Sequence, residues 1–592
     1  MRGSQYSMRF FRKRKLFAVA ALHIVFFVLI FSFSNLIAPV FPQDVPPPGS
    51  KVGSEQESFR KPKRELEPEN KYLIDYEIED LPPGVISGAS FFVKEIAVDG
   101  ETNLESFEIQ KILSPYKNRE LKLADLKKAA RTLTRAIRSK GYVTTRVLVP
   151  PQKVDQGVVH FKVMEGKLGK ISIQGNKYFK ERFMKRVLKA RPGEILRYSR
   201  LERDLLRLNT HPDRDVRAVL IPGEEPETTD LVLNVKETFP IHVGYSFDNT
   251  GTRLTGRLRH GISLAHTNLL GLDDMLQAKF LITDGSHFAG VAVDYLLPIT
   301  ASADFIFDYT HVNTRLGGDD FNDLKILGKA NIWSPTVVQR VIDRDHFDVS
   351  LFTGVDFKEI ETTQGGLSNS RDNLRILRLG AQFAERDKGG RTFITDEFEF
   401  GFSRILGASD KIDSNSSRTE AGAQFFRTVI DFGRLQKLPL ESFLILRGST
   451  YLTPDKLPAS EQMRVGGAAT VRGYPEGDYL GEHGISGSTE LRCPCYFIPR
   501  DWKYPKSENS VRDSIQLLGF FDVARVATKG APQFQPGNRT LAGMGGGIRF
   551  NLTRKPLGRN VSARLDWGVP VGEAPLTEKK GSRLHFSLNM TF

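Results

Sequence analysis

Cysteine is nearly absent: the 592-residue chain has two, and Cys493 and Cys495 enclose only Pro494. That excludes a disulfide framework, and it excludes a zinc site with a second pair of ligands. Long apolar runs are also scarce. Forty per cent hydrophobic residues with a negative mean hydropathy exclude a bundle of membrane helices, and a single segment near the amino terminus is apolar enough to span as a helix. Clustered positive charge is missing despite a net charge of +14, because Lys and Arg are spread along the chain and the densest group is Arg9 to Lys15. This argues against a nucleic-acid surface.

Catalytic constellations are missing too. The histidines are scattered, with no two-His helix motif and no Gly-x-Ser-x-Gly elbow. Gly543-Met544-Gly545-Gly546-Gly547-Ile548 has Ile548 where a dinucleotide fingerprint needs its last glycine, and its surroundings read as a strand. The expectation is no enzyme, no cofactor and no metal.

What is present begins with an export signal. A basic region, Arg9 to Lys15, leads into an apolar run from Leu16 to Phe31 that continues, interrupted, to Ala38 and stops at Pro39. Residues 1–41 read as a secretory signal or as an uncleaved anchor, since about 20 apolar residues suffice to span. Either way the remainder lies outside the cytoplasm. Residues 42–89 are polar, with a proline cluster at Pro46 to Pro48 and a charge run at Arg60 to Arg64. Such a composition cannot bury enough surface to fold alone, so it reads as a linker outside the cytoplasm.

Two modules follow, over 90–168 and 169–238. In the first, Phe91 to Val98 reads as a strand and Ser106 to Lys117 as a helix. Leu121 to Lys140 reads as a second helix, with Leu123, Leu126, Ala130, Leu133 and Ile137 on one stripe, and Tyr142 to Val149 and Val158 to Glu165 read as strands. The second repeats that order: Lys170 to Asn176, Glu181 to Lys189, Ser199 to Asn209, Val216 to Ile221 and Leu231 to Lys236. Repetition of one supersecondary unit is stronger evidence than either copy. A three-stranded mixed sheet leaves an edge open, to which an extended peptide can add by main-chain hydrogen bonds.

After Phe239 the period changes to two. Ile241, Val243, Tyr245 and Phe247 face one way; His242, Gly244, Ser246 and Asp248 face the other. Alternation of this kind is the per-strand signature of a membrane barrel, in which strand histidines face the lumen. Sixteen such strands are expected in 239–592. Their starts fall near Ile241, Leu258, Met275, Ala289, Asp304, Leu324, Phe347, Leu374, Thr392, Gln424, Phe443, Ile485, Ser514, Leu541, Asn560 and Arg583. The reading is a mostly β chain: two small α+β modules, then a sixteen-stranded antiparallel barrel in contact with lipid. If the first strand rises from the periplasm, the connection between strands eleven and twelve lies outside the cell.

That connection holds Val465-Gly466-Gly467-Ala468-Ala469-Thr470-Val471-Arg472-Gly473-Tyr474-Pro475-Glu476-Gly477, a single cation among glycines and small residues. Its glycines let it fold tightly and thread into a narrow space, where an arginine needs a carboxylate. In an ordinary exposed hairpin loop the same arginine meets water or Glu476.

Val471-Arg472-Gly473-Tyr474, with Gly481-Glu482-His483-Gly484 and Ser488-Thr489-Glu490-Leu491-Arg492 after it, resembles the signature of the outer-membrane superfamily of BamA and the two-partner secretion transporters. The repeated modules resemble that superfamily's periplasmic POTRA domains. Leu148-Val149-Pro150-Pro151-Gln152 and the stretch Val163 to Ile171 are similar to the first POTRA of the secretion transporters. The resemblance implies a sixth extracellular loop folded back into the barrel. It also implies that Arg472 pairs with Asp522, which follows aromatic residues on strand thirteen; Asp566 is the alternative. The alternating end, Leu584 to Phe592, resembles the signal read by the β-barrel assembly machinery, with Phe592 as its terminal aromatic. Some members carry a plug helix before the modules, and 42–89 shows no amphipathic stretch to supply one.

The implied function is export of an unfolded partner across the outer membrane of a Gram-negative-type bacterium, with the modules in the periplasm. Two modules rather than a longer series favour secretion over the assembly of other barrels, and a passive porin needs no such modules.

Overall fold

The computed structural model describes residues 74–76 and 90–592 apart from 101–103, 143–144, 165, 210, 226–227, 301, 317–324, 345, 419, 505–509, 531–536 and 555–558. The signal or anchor over 1–41, any plug helix, and the linker over 42–89 other than 74–76 and 90 lie outside the described residues.

Where the sequence suggests one strand from Phe91 to Val98, there are two. β2 (Phe91–Val93) pairs antiparallel with β4 (Arg119–Leu121), and β3 (Glu95–Asp99) pairs parallel with β6 (Val158–Met164), which also pairs with β5 (Arg146–Leu148). The break is at Lys94, whose amide, like that of Glu95, donates to the Gly157 carbonyl. Helix α1 (Ser106–Leu113) ends earlier than Lys117, because Pro115 turns the chain into a short 3-10 segment. Helix α2 (Leu123–Ser139) buries Leu126, Ala130, Leu133 and Ile137 against Val159, Phe161 and Val163 of the sheet. Leu121, expected to open the second helix, belongs instead to β4 with Arg119 and Glu120.

The second module carries β7 (Lys167–Gln174), α3 (Glu181–Val187), α4 (Tyr198–Leu208), β8 (Arg214–Pro222) and β9 (Thr228–Glu237). Its sheet has four strands, because β1 (Ile74–Tyr76) adds to β8 in parallel register, Ile74 opposite Ala218 and Tyr76 opposite Leu220. This corrects two expectations. Part of the region read as an unfolded linker is a strand, and this sheet has four strands rather than three, with β1 and β7 at its edges. The cause is long-range: three residues with no module of their own gain main-chain partners on a ready-made edge.

The barrel strands are β10 (Ile241–Asp248), β11 (Arg259–His266), β12 (Met275–Thr283), β13 (Phe288–Pro298), β14 (Ala303–Arg315), β15 (Ile326–Asp343), β16 (Phe347–Gln364) and β17 (Leu367–Asp387). The second half comprises β18 (Gly390–Gly401), β19 (Phe425–Leu438), β20 (Ser442–Leu452), β23 (His483–Pro494), β24 (Ile515–Ala527), β25 (Asn538–Arg554), β26 (Arg559–Pro570) and β27 (Arg583–Thr591). Each pairs antiparallel with the next, and β27 closes on β10 with Thr591 opposite Gly244, giving a closed barrel of sixteen strands. The alternation has its expected consequence. Ile262, Leu264, Trp567 and Leu584 are exposed on the outer wall, while Asp356, Glu399, Glu490, Asp522 and Asp566 are buried on the inner wall. Closure leaves no unpaired edge in hydrocarbon.

The second module is bonded to the barrel. The Asp213 carboxylate accepts from Thr267 Oγ1 at 2.5 Å and lies 2.9 Å from His242 Nε2, and Arg214 Nη1 meets Asp273 Oδ1 at 3.2 Å. Thr267 and Asp273 lie in the turn between β11 and β12. The module therefore sits at the rim from which β10 starts.

Candidate functional site: the lumenal loop and its ion cluster

Residues 453–482 join β20 to β23 and fold inward. A short hairpin, β21 (Met463–Val465) with β22 (Tyr479–Gly481), forms the stem. The tip turns because Gly466 and Gly467 sit at φ +103° and +96°, angles that side chains rarely adopt. It is closed by Gly466 N donating to Thr470 Oγ1 at 2.8 Å and Ala468 N donating to Glu476 Oε1 at 2.7 Å. Glu476 is thus spent on the loop's own backbone.

Arg472 is 3 % exposed and is surrounded by three carboxylates of the inner wall. Its Nε donates to Asp522 Oδ2 at 2.7 Å and its Nη2 to Asp522 Oδ1 at 2.9 Å, a two-pronged contact to β24. The Arg472 backbone amide adds a third bond to the same carboxylate at 3.1 Å. Nη1 reaches Glu490 Oε2 on β23 at 2.5 Å and Asp566 Oδ2 on β26 at 3.4 Å. The guanidinium also lies 3.5 Å from the centre of the Phe520 ring. A planar fork matched to a carboxylate fixes orientation as well as charge, and the aromatic face adds a cation–π contact.

The three acids do not depend equally on the loop. Asp566 also accepts from Arg549 at 2.5 Å and Arg564 at 2.7 Å, and Glu490 accepts from Arg492 at 2.6 Å. Asp522 takes two guanidinium bonds from Arg472, with Ser488 Oγ at 2.6 Å beside them. Asp566, the alternative partner in the sequence reading, is in the cluster but sits farther away and is already neutralised by the wall.

Around this pair the rest of the motif is placed by packing. Val471 and Tyr474 are fully buried, Val471 with Val465, Val526 and Leu541, and the Tyr474 hydroxyl donates to the Glu573 carbonyl at 2.7 Å. Gly473, at φ +95°, donates its amide to His585 Nε2 at 3.1 Å. A β-carbon there would lie 2.9 Å from the Val569 carbonyl carbon, so the loop lies flat on β26. The receiving wall is equally bare. Gly543 and Gly568 share the lumenal face of β25 and β26 with Asp566, directly beneath Arg472 and Gly473. Gly543 to Gly547, which fails as a nucleotide fingerprint, is a glycine run inside an alternating strand, and that is the local sign of the bare strip; Glu490 lies in the quoted motif with no local sign that it meets Arg472. Phe592 is half exposed at the rim, and its amide and carbonyl pair with Val243 at 2.8 and 3.3 Å. Cys493 and Cys495 are free thiols.

This assembly matches known proteins along most of its length. Residues 91–166 match the POTRA domain of ShlB type and 167–238 the POTRA domain described as a surface antigen variable number repeat. Residues 227–550 match the haemolysin secretion/activation protein family ShlB/FhaC/HecB. The outer membrane transporter CdiB of Dickeya dadantii is 24 % identical over 70 % of this chain and 74 % of its own. The heme/hemopexin transporter protein HuxB of Haemophilus influenzae is 23 % identical over 66 % and 69 %. Among solved structures, CdiB from Escherichia coli superposes with a TM-score of 0.61 at 19 % identity, covering 87 % of this chain and 93 % of that one. BamA from Haemophilus ducreyi lacking its first three POTRA domains superposes at 0.54 and 14 %, covering 85 % and 100 %. With more than half of its length matched by one family, an outer-membrane barrel and POTRA domains in the periplasm, the chain belongs to the ShlB/FhaC/HecB transporters of two-partner secretion.

Proposed function

We propose that the two periplasmic modules capture an extended segment of the secreted partner by strand addition, and that the segment then crosses the outer membrane through the lumen now filled by the inward-folded loop. The observation that supports capture is the first module's sheet, in which β3 and β5 each pair only with β6 among the described residues and leave an edge open, while β1 in the second module shows how such an edge takes a strand. A three-residue stretch from elsewhere in the chain adds to the β8 edge through backbone pairing, which makes few demands on side-chain identity. The partner therefore needs extended, unfolded chain more than a particular motif. No step uses a cofactor or an enzymatic group, so the driving force is partner folding on the far side. Arg472 with Asp522 holds the loop, Asp566 supports the pair through its own arginines, and Phe592 at the rim is the contact read by the β-barrel assembly machinery during insertion into lipid.

Deleting residues 90–165 tests the capture role. The expected result is a heat-modifiable barrel still inserted in the outer membrane, with the partner retained in the periplasm. Unchanged secretion by that variant would remove the first module from the reading. A large exported β-rich protein encoded beside this chain is the expected partner.

A further inference from the structure

The loop enters the lumen through a second ion cluster, on a different arc of the wall and with the charges reversed. Just before the stem hairpin, Glu461 is 1 % exposed. Its Oε1 accepts from Lys358 Nζ on β16 at 2.6 Å, and its Oε2 accepts from Arg427 Nη2 on β19 at 2.9 Å. Arg427 also donates to the Glu461 main-chain carbonyl and is shared with Glu399 on β18. Asp356 lies 3.8 Å from Lys358 and pairs with Arg378 of β17 at 2.7 Å. At the tip one loop cation faces three wall anions on β23, β24 and β26. Here one loop anion faces two wall cations on β16 and β19.

Only residues 462–471 separate the two charges, and within them Gly466 and Gly467 turn the chain. A buried carboxylate held by two cations, one of which also bonds the Glu461 main-chain carbonyl, is costly to withdraw, for the same reason that the Arg472 fork is. Releasing Arg472 frees the tip and leaves the entry limb bound to the other arc. Met463 and Val465 would stay packed against Val429 and Tyr451.

We propose that Glu461 is a second positioning residue for translocation. It ties the entry limb of the loop to β16 and β19, and the lumen clears only when the Glu461 and Arg472 clusters have both let go. The inference rests on the reading that this loop occupies the export path, so the test measures loop position separately from export.

The variants are Glu461→Gln, which removes the charge at constant size, Glu461→Asp as the conservative rescue, and Arg472→Ala. All are built with Cys493→Ser and Cys495→Ser and a reporter Ala468→Cys at the loop tip. The full-length protein is reconstituted in planar bilayers and, separately, probed in cells with a membrane-impermeant thiol reagent. Expected are small increases in conductance and in labelling for Glu461→Gln and Arg472→Ala alone. The combined increase should exceed the product of the single effects by roughly tenfold, as coupled sites behave. Glu461→Asp should return most of the wild-type signal. If Glu461→Gln does not accumulate as heat-modifiable barrel, Lys358→Gln removes one of its two cations and is read in the same way. The proposal is overturned if the charge-removing variant leaves conductance and labelling in the Arg472→Ala background unchanged. A released loop with unaltered partner export would retain the tether and overturn the path reading instead.

Discussion

Gly543 and Arg472 approach so closely that a β-carbon on Gly543 would stand 2.0 Å from the Arg472 carbonyl oxygen. The loop is seated on a strip of wall from which side chains have been removed, and the arginine reaches its acids only because its backbone lies against that strip.

Gly543→Ala should therefore unseat the loop without touching any charge. Overpacking of this kind costs about 1–3 kcal/mol, and here it falls on the loop more than on the β25 ladder. Secretion and loop protection from protease should both drop. Gly448→Ala on β20, whose nearest neighbour would be 3.6 Å away, should behave as wild type. Equal behaviour of the two variants would contradict the seat.

Arg472 and Asp522 should show strong coupling, and Arg472 and Asp566 weak coupling. Removing Arg472 leaves Asp566 with Arg549 and Arg564, whereas Asp522 loses its fork, and breaking a buried pair costs about 3–5 kcal/mol. Lumenal water offsets part of that, so loss of secretion should exceed loss of the barrel. In double-mutant cycles on the midpoint of heat-modifiability, the Asp522 cycle should give a coupling of about 1–3 kcal/mol and the Asp566 cycle less than about 0.5 kcal/mol. Additive effects for Asp522 would show that the two act independently.

The junction between the second module and the barrel should weaken in acid. Burial opposes ionisation of Asp213, but the hydrogen bonds from His242 and Thr267 outweigh it and hold the carboxyl below its ordinary value. A carboxyl depressed in the folded state adds stability that is present above its unfolded pKa, about 3.9, and lost as pH falls through the folded one. Pepsin, which cleaves in acid, should release the modules readily only once the pH has fallen below that range. Asp213→Asn should lower junction stability by about 1–3 kcal/mol at neutral pH and abolish the acid response. An unchanged melting profile at neutral pH would count against the junction's reliance on this carboxylate.

Much of this architecture is legible in the residues, and what is not has a physical reason. Barrel strands announce themselves because lipid on one side and lumen on the other impose a period of two; fifteen of the sixteen starts lie within three residues of those read from the sequence. The exception, β17, begins at Leu367 rather than near Leu374, because β16 and β17 run on as a hairpin beyond the span that lipid needs. There the ladder continues through Ser368, Ser370 and Asp372 with no apolar face to mark it. Strands β1 and β4 are three residues each and owe their conformation to distant partners, β8 and β2. Arg472 stood out as a lone cation among glycines. The glycine run around Gly543 marks a bare strand but not the loop that covers it, and the choice of Glu490 and Glu461 depends on which strands the closed barrel brings beside the loop.

The most direct test of export through the lumen is site-specific photocrosslinking during secretion of the partner. Gln382 on β17 shares the inner face with Arg378, and Leu379 of the same strand is exposed on the outer wall. With benzoylphenylalanine at either position and a partner stalled by a folded carboxy-terminal fusion, Gln382 should give partner adducts and Leu379 none. Adducts at Leu379 with none at Gln382 would place the passage outside the barrel and contradict the account.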